Sequence, residues 1–308
     1  MPRENHSLLW LTPSTVICRN IKPSIAVRVS FCLLPFLAML SRFPRIALCH
    51  RPTPLEALDR LSEFLGGPRV FVKRDDCTGL ALGGNKVRKL EFLLGEALAA
   101  GADTLVTTGG VQSNHCRQTA AAAARLGLGC ELVLPHVSRF ASPTYDTGGN
   151  VLLDQLLGAK LHFTPDAASA AARCSEVVET IRARGGRPYF IPTGGSTPVG
   201  ALGYVDAAGE LAEQARAAGL RFDYAVVTTG SCTTHAGLVV GFATAEHHRT
   251  LDRAPQVLGV SVYQRLPAVL ETVRQKAHDT AALVGWDALG ISPAALAERV
   301  NVNDDYLG

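Results

Sequence analysis

The stretch DTLVTTGGVQSNHCRQTAAAAARLGLGCELVL (103–134) decides the fold, because its hydrophobic pattern changes from strand to helix and back to strand. Val, Leu and Thr cluster in DTLVTT (103–108) and in CELVL (130–134), as is typical of buried strands. The alanine-rich segment between them, 113–127, predicts a helix. Strands that alternate with helices of this length predict a parallel sheet covered on both faces.

The same alternation continues along the chain, which predicts an α/β fold with parallel sheets flanked by helices. Further strands are predicted at RVFVKR (69–74), KLHF (160–163), PYFIP (188–192), DYAVVTT (223–229) and QVLGVSV (256–262). Helices are predicted from the apolar stripe of Val87, Leu90, Leu94, Ala97 and Leu98, and at 150–158, 167–184, 200–218 and 234–245.

Composition excludes several classes of protein. The chain has 308 residues, 47% of them hydrophobic, which is enough for one large or two ordinary domains with a core. The formal net charge is +3, but six Lys/Arg and one acid precede residue 49, so the remainder is about −2. No basic stripe with interleaved aromatic residues is present, and we predict no nucleic-acid partner.

The eight cysteines have irregular spacing, without a C-x-x-C pair or a metal-ligand cluster. This pattern predicts reduced thiols, no metal and a cytoplasmic protein. Cys116 and Cys130 lie inside apolar patterns, where cysteine behaves as a small hydrophobic residue.

Residues 1–40 differ in kind from the rest. They are basic and end in FCLLPFLAML (31–40), which is too short to span a bilayer and is interrupted by Pro35. We interpret residues 1–38 as an upstream mis-start, with Met39 as the alternative start; an organelle presequence or weak signal anchor is the other interpretation. No stable membrane span is predicted.

Three loops are predicted to hold the ligand, because ligands of open α/β sheets bind where strands end and helices begin. They are TTGGVQSNH (107–115), PTGGSTPVG (192–200) and TTGSCTTHAG (228–237). Each contains glycine together with Ser, Thr or Asn, as a backbone-amide anion site requires.

Standard nucleotide and hydrolase motifs are absent from the sequence. There is no G-x-G-x-x-G at a strand-to-helix turn, no G-x-S-x-G and no H-E-x-x-H. Gly79 to Lys86 approaches a P-loop, but Asn85 precedes the lysine and no Ser or Thr follows it. A phosphate-sized site, GSCTT (230–234), and a lysine after a glycine pair remain. A desolvated lysine that forms a Schiff base with an aldehyde, beside a phosphate site, indicates pyridoxal 5′-phosphate.

From about residue 41 to 308 the sequence resembles the D-cysteine desulfhydrase and 1-aminocyclopropane-1-carboxylate deaminase family. The resemblance rests on long, ordered motifs: RFPR (42–45), PTPLEALDRL (52–61), KRDDCTGL (73–80), GGNKVRKLEFL (83–93), QSNHCRQTAA (112–121), GNVLLDQLLGA (149–159), GALGYV (200–205) and GSCTTHAGL (230–238). It implies a two-domain fold-type II pyridoxal-phosphate enzyme of tryptophan synthase β-like architecture.

The resemblance also implies roles for individual residues. Lys86 matches the lysine that carries the cofactor, with Asn85 beside it. Ser113 matches a serine implicated in proton transfer or substrate activation, and Asn114 a residue that hydrogen-bonds the cofactor ring 3′-oxygen and the substrate carboxylate. His115 is a substrate-binding candidate. The phosphate loop corresponds to Gly230, Ser231, Cys232, Thr233 and Thr234.

Some positions leave alternatives open. Many relatives have G-S-A-G-T in the phosphate loop, so Cys232 and Thr233 are departures, and loss of the second glycine predicts a strained backbone angle. His235 is either a surface histidine or a cofactor-site residue. Lys89 is either a supporting charge near the site or solvated. Gln112 and Ser196 are further candidates.

The resemblance implies a larger cofactor domain at 41–86 plus 197–308, a smaller domain at 87–196, and a homodimer. Relatives continue beyond the end of this sequence through a further helix-and-strand segment. We therefore expect a fragment or truncated gene product, poorly soluble or weakly active alone, with exposed apolar surface and an unpaired strand edge.

Substrate identity depends on His115. Desulfhydrases resemble QSNH, whereas the deaminases more often have QSNQ, so the sequence favours D-cysteine cleavage to pyruvate, ammonia and hydrogen sulfide. The alternatives are 1-aminocyclopropane-1-carboxylate deamination, L-cysteate sulfo-lyase activity, and an inactive protein that binds the cofactor or a partner without turnover.

Overall fold

A computed structural model of the protein describes residues 34–136 and 144–307. Strands and helices alternate through most of this range. The strands are β1 (Leu55–Ala57), β2 (Phe71–Lys73), β3 (Thr104–Thr108), β4 (Gly129–Pro135), β5 (Lys160–Thr164), β6 (Pro188–Ile191), β7 (Tyr224–Thr229), β8 (Gln256–Ser261) and β9 (Val300–Asn303). The α-helices are α1 (Leu34–Ser41), α2 (Asp59–Leu65), α3 (Lys86–Ala99), α4 (Asn114–Leu126), α5 (Asn150–Leu156), α6 (Ala167–Ala183), α7 (Pro198–Ala217), α8 (Thr233–His247), α9 (Ala268–Val284) and α10 (Pro293–Glu298).

The first parallel sheet has the strand order β5-β4-β3-β6. Successive side chains of a strand point to opposite faces, and β3 uses both faces for burial. Leu105 packs in a core with α3 and α4, whereas its neighbour Val106 packs against α6 on the other face. This two-sided cover explains why the strand reads as a continuous apolar run.

The second parallel sheet has the order β7-β8-β9. One face is buried in a core shared with α1, α7, α8, α9 and α10. On the other face Tyr224 and Val226 of β7 are 61% and 67% exposed. Two large apolar side chains of β7 are therefore exposed on this face of the sheet.

Close packing of α3 on α7 fixes the direction of the helix that begins at Lys86. A Cβ atom at Gly203 of α7 would lie 2.2 Å from the backbone oxygen of Arg88, so only glycine permits this approach. The fully buried Arg88 side chain also forms ion pairs with Asp75 at 2.9 Å and with Glu210 of α7 at 2.9 Å. Helix α3 is held by both backbone contact and charge.

The α/β fold class and the parallel sheets are confirmed. All seven predicted strands and six predicted helices form, with ends that differ by at most a few residues. Strand β1, its antiparallel pairing with β2, and the elements α2, α9, α10 and β9 were not predicted. The division into a larger and a smaller domain stays a prediction.

Helix α1 lies within the predicted N-terminal extension, but its side chains belong to the core. Phe36 is 1% exposed and packs with Leu40 in the core of the second sheet. A Cβ at Gly209 of α7 would lie 2.5 Å from the Phe36 ring. The packed part of the chain thus begins before residue 41, while residues 1–33 lie outside the described range.

In the described part of the chain, no helix combines the length and the hydropathy that a membrane crossing needs. The six cysteines described there are all free thiols.

Candidate active site

Two of the predicted loops meet at the ends of β6 and β7. The Ser196 hydroxyl donates to the backbone oxygen of Ser231 at 3.0 Å and lies 2.5 Å from the Thr233 hydroxyl. Gly194 approaches so closely that a Cβ there would lie 3.0 Å from the Ser231 Oγ and 3.7 Å from the Lys86 Cε. The loops after two strands of different sheets therefore form one surface beside Lys86.

The glycine pair before Lys86 is required by close contacts. Gly83 and Gly84 have φ angles of 72° and 130°, which residues with a Cβ atom rarely adopt. A Cβ at Gly83 would lie 1.9 Å from the Asp76 backbone oxygen, and one at Gly84 would lie 2.4 Å from the Gln118 amide nitrogen. The pair lets the chain turn tightly so that Lys86 begins α3.

Lys86 points into the site formed by these loops. Its amine donates to the Asn85 Oδ1 at 2.9 Å, and the Asn85 amide reaches the Thr234 hydroxyl at 3.5 Å. Burial lowers the pKa of the Lys86 amine from its usual value, because a low-dielectric environment disfavours the charged form. The structure thus brings Asn85, Lys86 and the 230–234 loop together.

Lys89 is buried beside Lys86 and is not solvated, which corrects one of the two interpretations from the sequence. It lies one turn further along α3, is 1% exposed, and donates to the backbone oxygen of Gly194 at 3.2 Å. Burial lowers the pKa of its amine well below the usual value, and the charges of Lys86 and Lys276 add to the effect. An amine in this position favours a bound anion.

The loop before α8 contains the strained residue that the sequence analysis expected, at a neighbouring position. Cys232, the residue before the helix, has a φ angle of 66°, whereas Thr233 is already helical. A non-glycine residue in this region costs roughly 1–2 kcal/mol. The first backbone N–H groups of α8 follow directly, next to the hydroxyl groups of Thr233 and Thr234.

Ser113 and Asn114 start helix α4 at the end of β3, as predicted. The Ser113 Oγ accepts from the Cys116 backbone N–H at 3.3 Å, so it acts as the N-cap of the helix. Asn114 is exposed. Among the described residues no hydrogen bond joins either side chain to Lys86. Helix α4 is instead connected to the lysine loop, residues 83–85 before Lys86, by Arg117. This side chain donates to the Gly83 backbone oxygen at 2.8 Å.

His115 is buried, and its hydrogen bonds define its protonation. The Thr107 hydroxyl donates to the Ile191 backbone oxygen at 2.6 Å and lies 2.8 Å from the His115 Nε2. Thr107 has one proton to donate, so Nε2 carries the ring proton and Nδ1 is an acceptor. Burial lowers the pKa of His115 to about 3, assisted by the charges of Lys86 and Lys89. The ring is neutral at physiological pH.

His235 is not a surface residue. It is fully buried, and its Nδ1 lies 3.2 Å from the Thr229 hydroxyl. Burial lowers the pKa of this ring to about 4. His235 therefore packs as a neutral core residue beneath the loop, and the surface interpretation is wrong.

A cavity of about 820 Å³ opens beside the same strand ends. Its wall includes Thr108 to Gly110 after β3, Pro192 and Thr193 after β6, and Tyr263 after β8, and helix α6 closes one side. Most of its lining is apolar, as is usual for small-molecule sites. Lys86 is not part of the wall, but Thr193 of the wall is followed by Gly194, which lies beside the Lys86 side chain.

Sequence reasoning missed two members of the site. Arg117 was inside a quoted motif without a role, and Gly194 was a turn residue without one. The spacing of Lys89 from Lys86 was a usable signal, because residues three apart on a helix lie on the same face.

The comparisons with known proteins agree with this geometry. The family model for pyridoxal-phosphate dependent enzymes matches residues 46–306. A 1-aminocyclopropane-1-carboxylate deaminase of Burkholderia cenocepacia is 46% identical over 251 residues, which are 80% of this chain and 72% of that protein. One of Methylobacterium nodulans is 43% identical over 273 residues, 87% of this chain and 78% of that protein. The crystal structure of a 1-aminocyclopropane-1-carboxylate deaminase homologue superimposes with a TM-score of 0.71 at 36% identity, covering 83% of this chain and 73% of that one.

Proposed function

The chain belongs to the family of pyridoxal-phosphate dependent enzymes, in the group that contains the 1-aminocyclopropane-1-carboxylate deaminases, and we propose that it cleaves D-cysteine. Its cofactor is pyridoxal 5′-phosphate and its reaction class is that of a lyase. The proposal concerns which bond of which amino acid is broken and which residues act.

The residues at the strand ends fit the cofactor. Among the described residues, the buried amine of Lys89 has one hydrogen-bond partner, the backbone oxygen of Gly194, and no carboxylate pairs with it. The backbone N–H groups at the start of α8 and the hydroxyls of Thr233 and Thr234 are donors of the kind a phosphate group accepts. We propose that Lys89 and this loop bind the phosphate and that Lys86 carries the aldehyde carbon.

When bound, the cofactor withdraws electrons from the substrate Cα, which makes the Cα proton removable. Lys86 is the base for that proton in our proposal, since burial lowers the pKa of its amine and leaves more of it unprotonated. Asn114 binds the substrate carboxylate through its amide N–H group. Loss of the thiol from Cβ and hydrolysis then convert D-cysteine and water into pyruvate, ammonia and hydrogen sulfide.

The single observation that supports a thiol substrate is the state of His115. Its Nδ1 is a buried acceptor without a partner among the described residues, in a ring that burial and the charges of Lys86 and Lys89 keep neutral. A neutral acceptor complements a polar S–H group at Cβ better than the methylene groups of a cyclopropane ring, because an unpaired acceptor costs free energy.

A second candidate function is 1-aminocyclopropane-1-carboxylate deamination, which yields 2-oxobutanoate and ammonia. The observation in its favour is the naming of the relatives that are 43–46% identical to this chain. It uses the same Lys86, Asn114 and cofactor, and differs in the bond broken.

A substrate panel tests the proposal. The full chain, loaded with pyridoxal 5′-phosphate, is given D-cysteine, L-cysteine, L-cysteate and 1-aminocyclopropane-1-carboxylate, and sulfide, sulfite and 2-oxobutanoate are measured. We expect sulfide from D-cysteine, abolished in Lys86→Ala and retained in Lys160→Ala, whose side chain is 57% exposed and lies in a different cluster. Release of 2-oxobutanoate alone supports the second candidate, and sulfite from L-cysteate without sulfide contradicts the first.

A further inference from the structure

Arg117 and Asp154 are two buried, charged residues whose roles the proposed reaction does not explain. Arg117 of α4 is 8% exposed, and Asp154 of α5 is 0% exposed. The Arg117 Nε and both carboxylate oxygens of Asp154 have no hydrogen-bond partner among the described residues. Buried polar groups without partners are costly, so a pair of them beside an active site calls for an explanation.

The guanidinium of Arg117 connects the loop before Lys86 to the first residues of α4 and α5. It donates to the Gly83 backbone oxygen at 2.8 Å, to the Asn114 Oδ1 at 3.1 Å and to the Asn150 Oδ1 at 3.0 Å. Gly83 belongs to the glycine pair before Lys86, so Arg117 joins the lysine loop to Asn114.

These bonds determine which way the Asn114 amide points. Its Oδ1 accepts from Arg117 and also from the Asn150 Nδ2 at 2.9 Å, so both lone pairs are used. The Asn114 Nδ2 is left with two N–H donors on an exposed side chain. Only in this orientation does Asn114 offer donors to an anionic oxygen, and a flipped amide would present an acceptor instead.

Among the described residues, the hydrogen-bond partners of Arg117 are a backbone carbonyl and two amides, none of which carries a charge. Asp154 is a buried carboxylate that forms no direct ion pair with Arg117, but its charge acts on the guanidinium. The pKa values of both groups show the effect: burial raises that of Asp154 to about 7 while Arg117 opposes the rise, and burial lowers that of Arg117 while Asp154 opposes the fall. Asp154 lies four residues after Asn150 on α5, so it shares the face of the helix that meets Arg117.

We propose that Asp154 is a positioning residue: its carboxylate is the counter-charge that keeps Arg117 bonded to Asn114 and Gly83, and so keeps the Asn114 amide donors directed at an anionic oxygen of the cofactor or substrate. This inference rests on the proposed role of Asn114. It explains why a buried carboxylate without partners is present where an uncharged residue would fold more easily.

The test compares stability with binding in Asp154→Asn, which removes the charge and keeps the size. We expect the apparent melting temperature of the cofactor-free chain to change little, because loss of the cost of burying the Asp154 carboxylate offsets loss of the counter-charge for Arg117. The dissociation constant for pyridoxal 5′-phosphate and the KM of the substrate found in the panel should rise on the order of tenfold, with kcat nearly unchanged. Asp154→Ser provides a second, smaller neutral residue.

A matched control is Glu131→Gln. Glu131 is a buried carboxylate that has partners, His162 at 2.7 Å and Arg184 at 3.0 Å, away from the site. The Glu131→Gln variant should have a lower melting temperature and an unchanged affinity for the cofactor.

Coupling is tested with Asn114→Ala. If Asp154 acts through Asn114, the effects of Asp154→Asn and Asn114→Ala on affinity are less than additive in the double variant. The inference would be overturned by unchanged cofactor affinity in both Asp154 variants, or by a loss of stability that parallels the loss of affinity. It would also be overturned if the effects of Asp154→Asn and Asn114→Ala on affinity were fully additive in the double variant. Cofactor affinity tests the role of Asp154 even if no substrate of the panel is turned over. Failure of this inference is therefore distinct from failure of the D-cysteine proposal.

Discussion

Replacing Lys89 by Met tests whether this buried amine is present to bind the cofactor phosphate. Met fills a similar volume without a polar group. The Lys89 amine has one hydrogen-bond partner in the part of the chain that the structure describes and is 1% exposed. Its removal should therefore stabilise the cofactor-free fold by roughly 1–3 kcal/mol, the cost of a buried polar group left short of partners. The lost contact with the phosphate, roughly 1.5–3 kcal/mol, should weaken cofactor binding between about tenfold and more than a hundredfold.

Two measurements read these opposite effects separately. Thermal unfolding of the cofactor-free protein reports stability, and fluorescence titration with pyridoxal 5′-phosphate reports affinity. Because burial holds the pKa of Lys89 well below its usual value and a bound phosphate would raise it, binding should take up a proton. Titration calorimetry in buffers of different ionisation enthalpy should detect that proton in the wild type and not in Lys89→Met.

Lys160→Met is the control, since the Lys160 side chain is 57% exposed and pairs with Glu131 at 3.4 Å. It should leave both stability and cofactor affinity nearly unchanged. A Lys89→Met protein that binds the cofactor as tightly as the wild type, or that is less stable without it, would show that the role assigned to Lys89 is wrong.

Three further predictions concern the scaffold. Gly203→Ala should lower the free energy of unfolding by roughly 1–3 kcal/mol in urea titrations, because a Cβ would lie 2.2 Å from a backbone oxygen of α3, whereas Gly67→Ala, with no contact under 3.8 Å, should have little effect. Phe36→Ala should cost roughly 3–5 kcal/mol in the same assay, since the ring is buried, and an unchanged urea midpoint would place α1 outside the core. The free energy of unfolding should fall as pH drops from about 6.5 towards 3, because His115 takes up a proton in the unfolded state but stays neutral in the folded state, where its pKa is about 3. His115→Gln should reduce this dependence on pH. An equal dependence in the variant would contradict the burial of that ring.

The sequence predicted the strands and the fold class because those depend on local composition. In β3, for example, a run of apolar and β-branched residues specifies a strand wherever it is placed. Short elements such as β1 and β9 have three or four residues and no periodic pattern to detect. Helix α1 falls in the predicted extension because the apolar run around Phe36 is short and resembles a weak signal anchor. Its place in the core becomes visible only from the packing of Phe36 against Gly209.

The positions of the site residues follow from contacts between distant parts of the chain. Lys89 is buried because α7 packs against α3, and the lysine itself gives no sign of this. His115 could be singled out by its motif, but its tautomer depends on Thr107 and on the Ile191 carbonyl of another strand. The link from Asp154 through Arg117 to Asn114 needs the relative placement of α4 and α5.

The most direct test of the central claim is to locate the cofactor attachment chemically. The full chain is loaded with pyridoxal 5′-phosphate, reduced with borohydride and digested, and the modified peptide is sequenced by mass spectrometry. We predict a single phosphopyridoxyl group on Lys86, together with a visible absorption band of the unreduced protein that is lost in Lys86→Ala. Modification of Lys89 instead, or an absorption band that survives Lys86→Ala, would contradict the account.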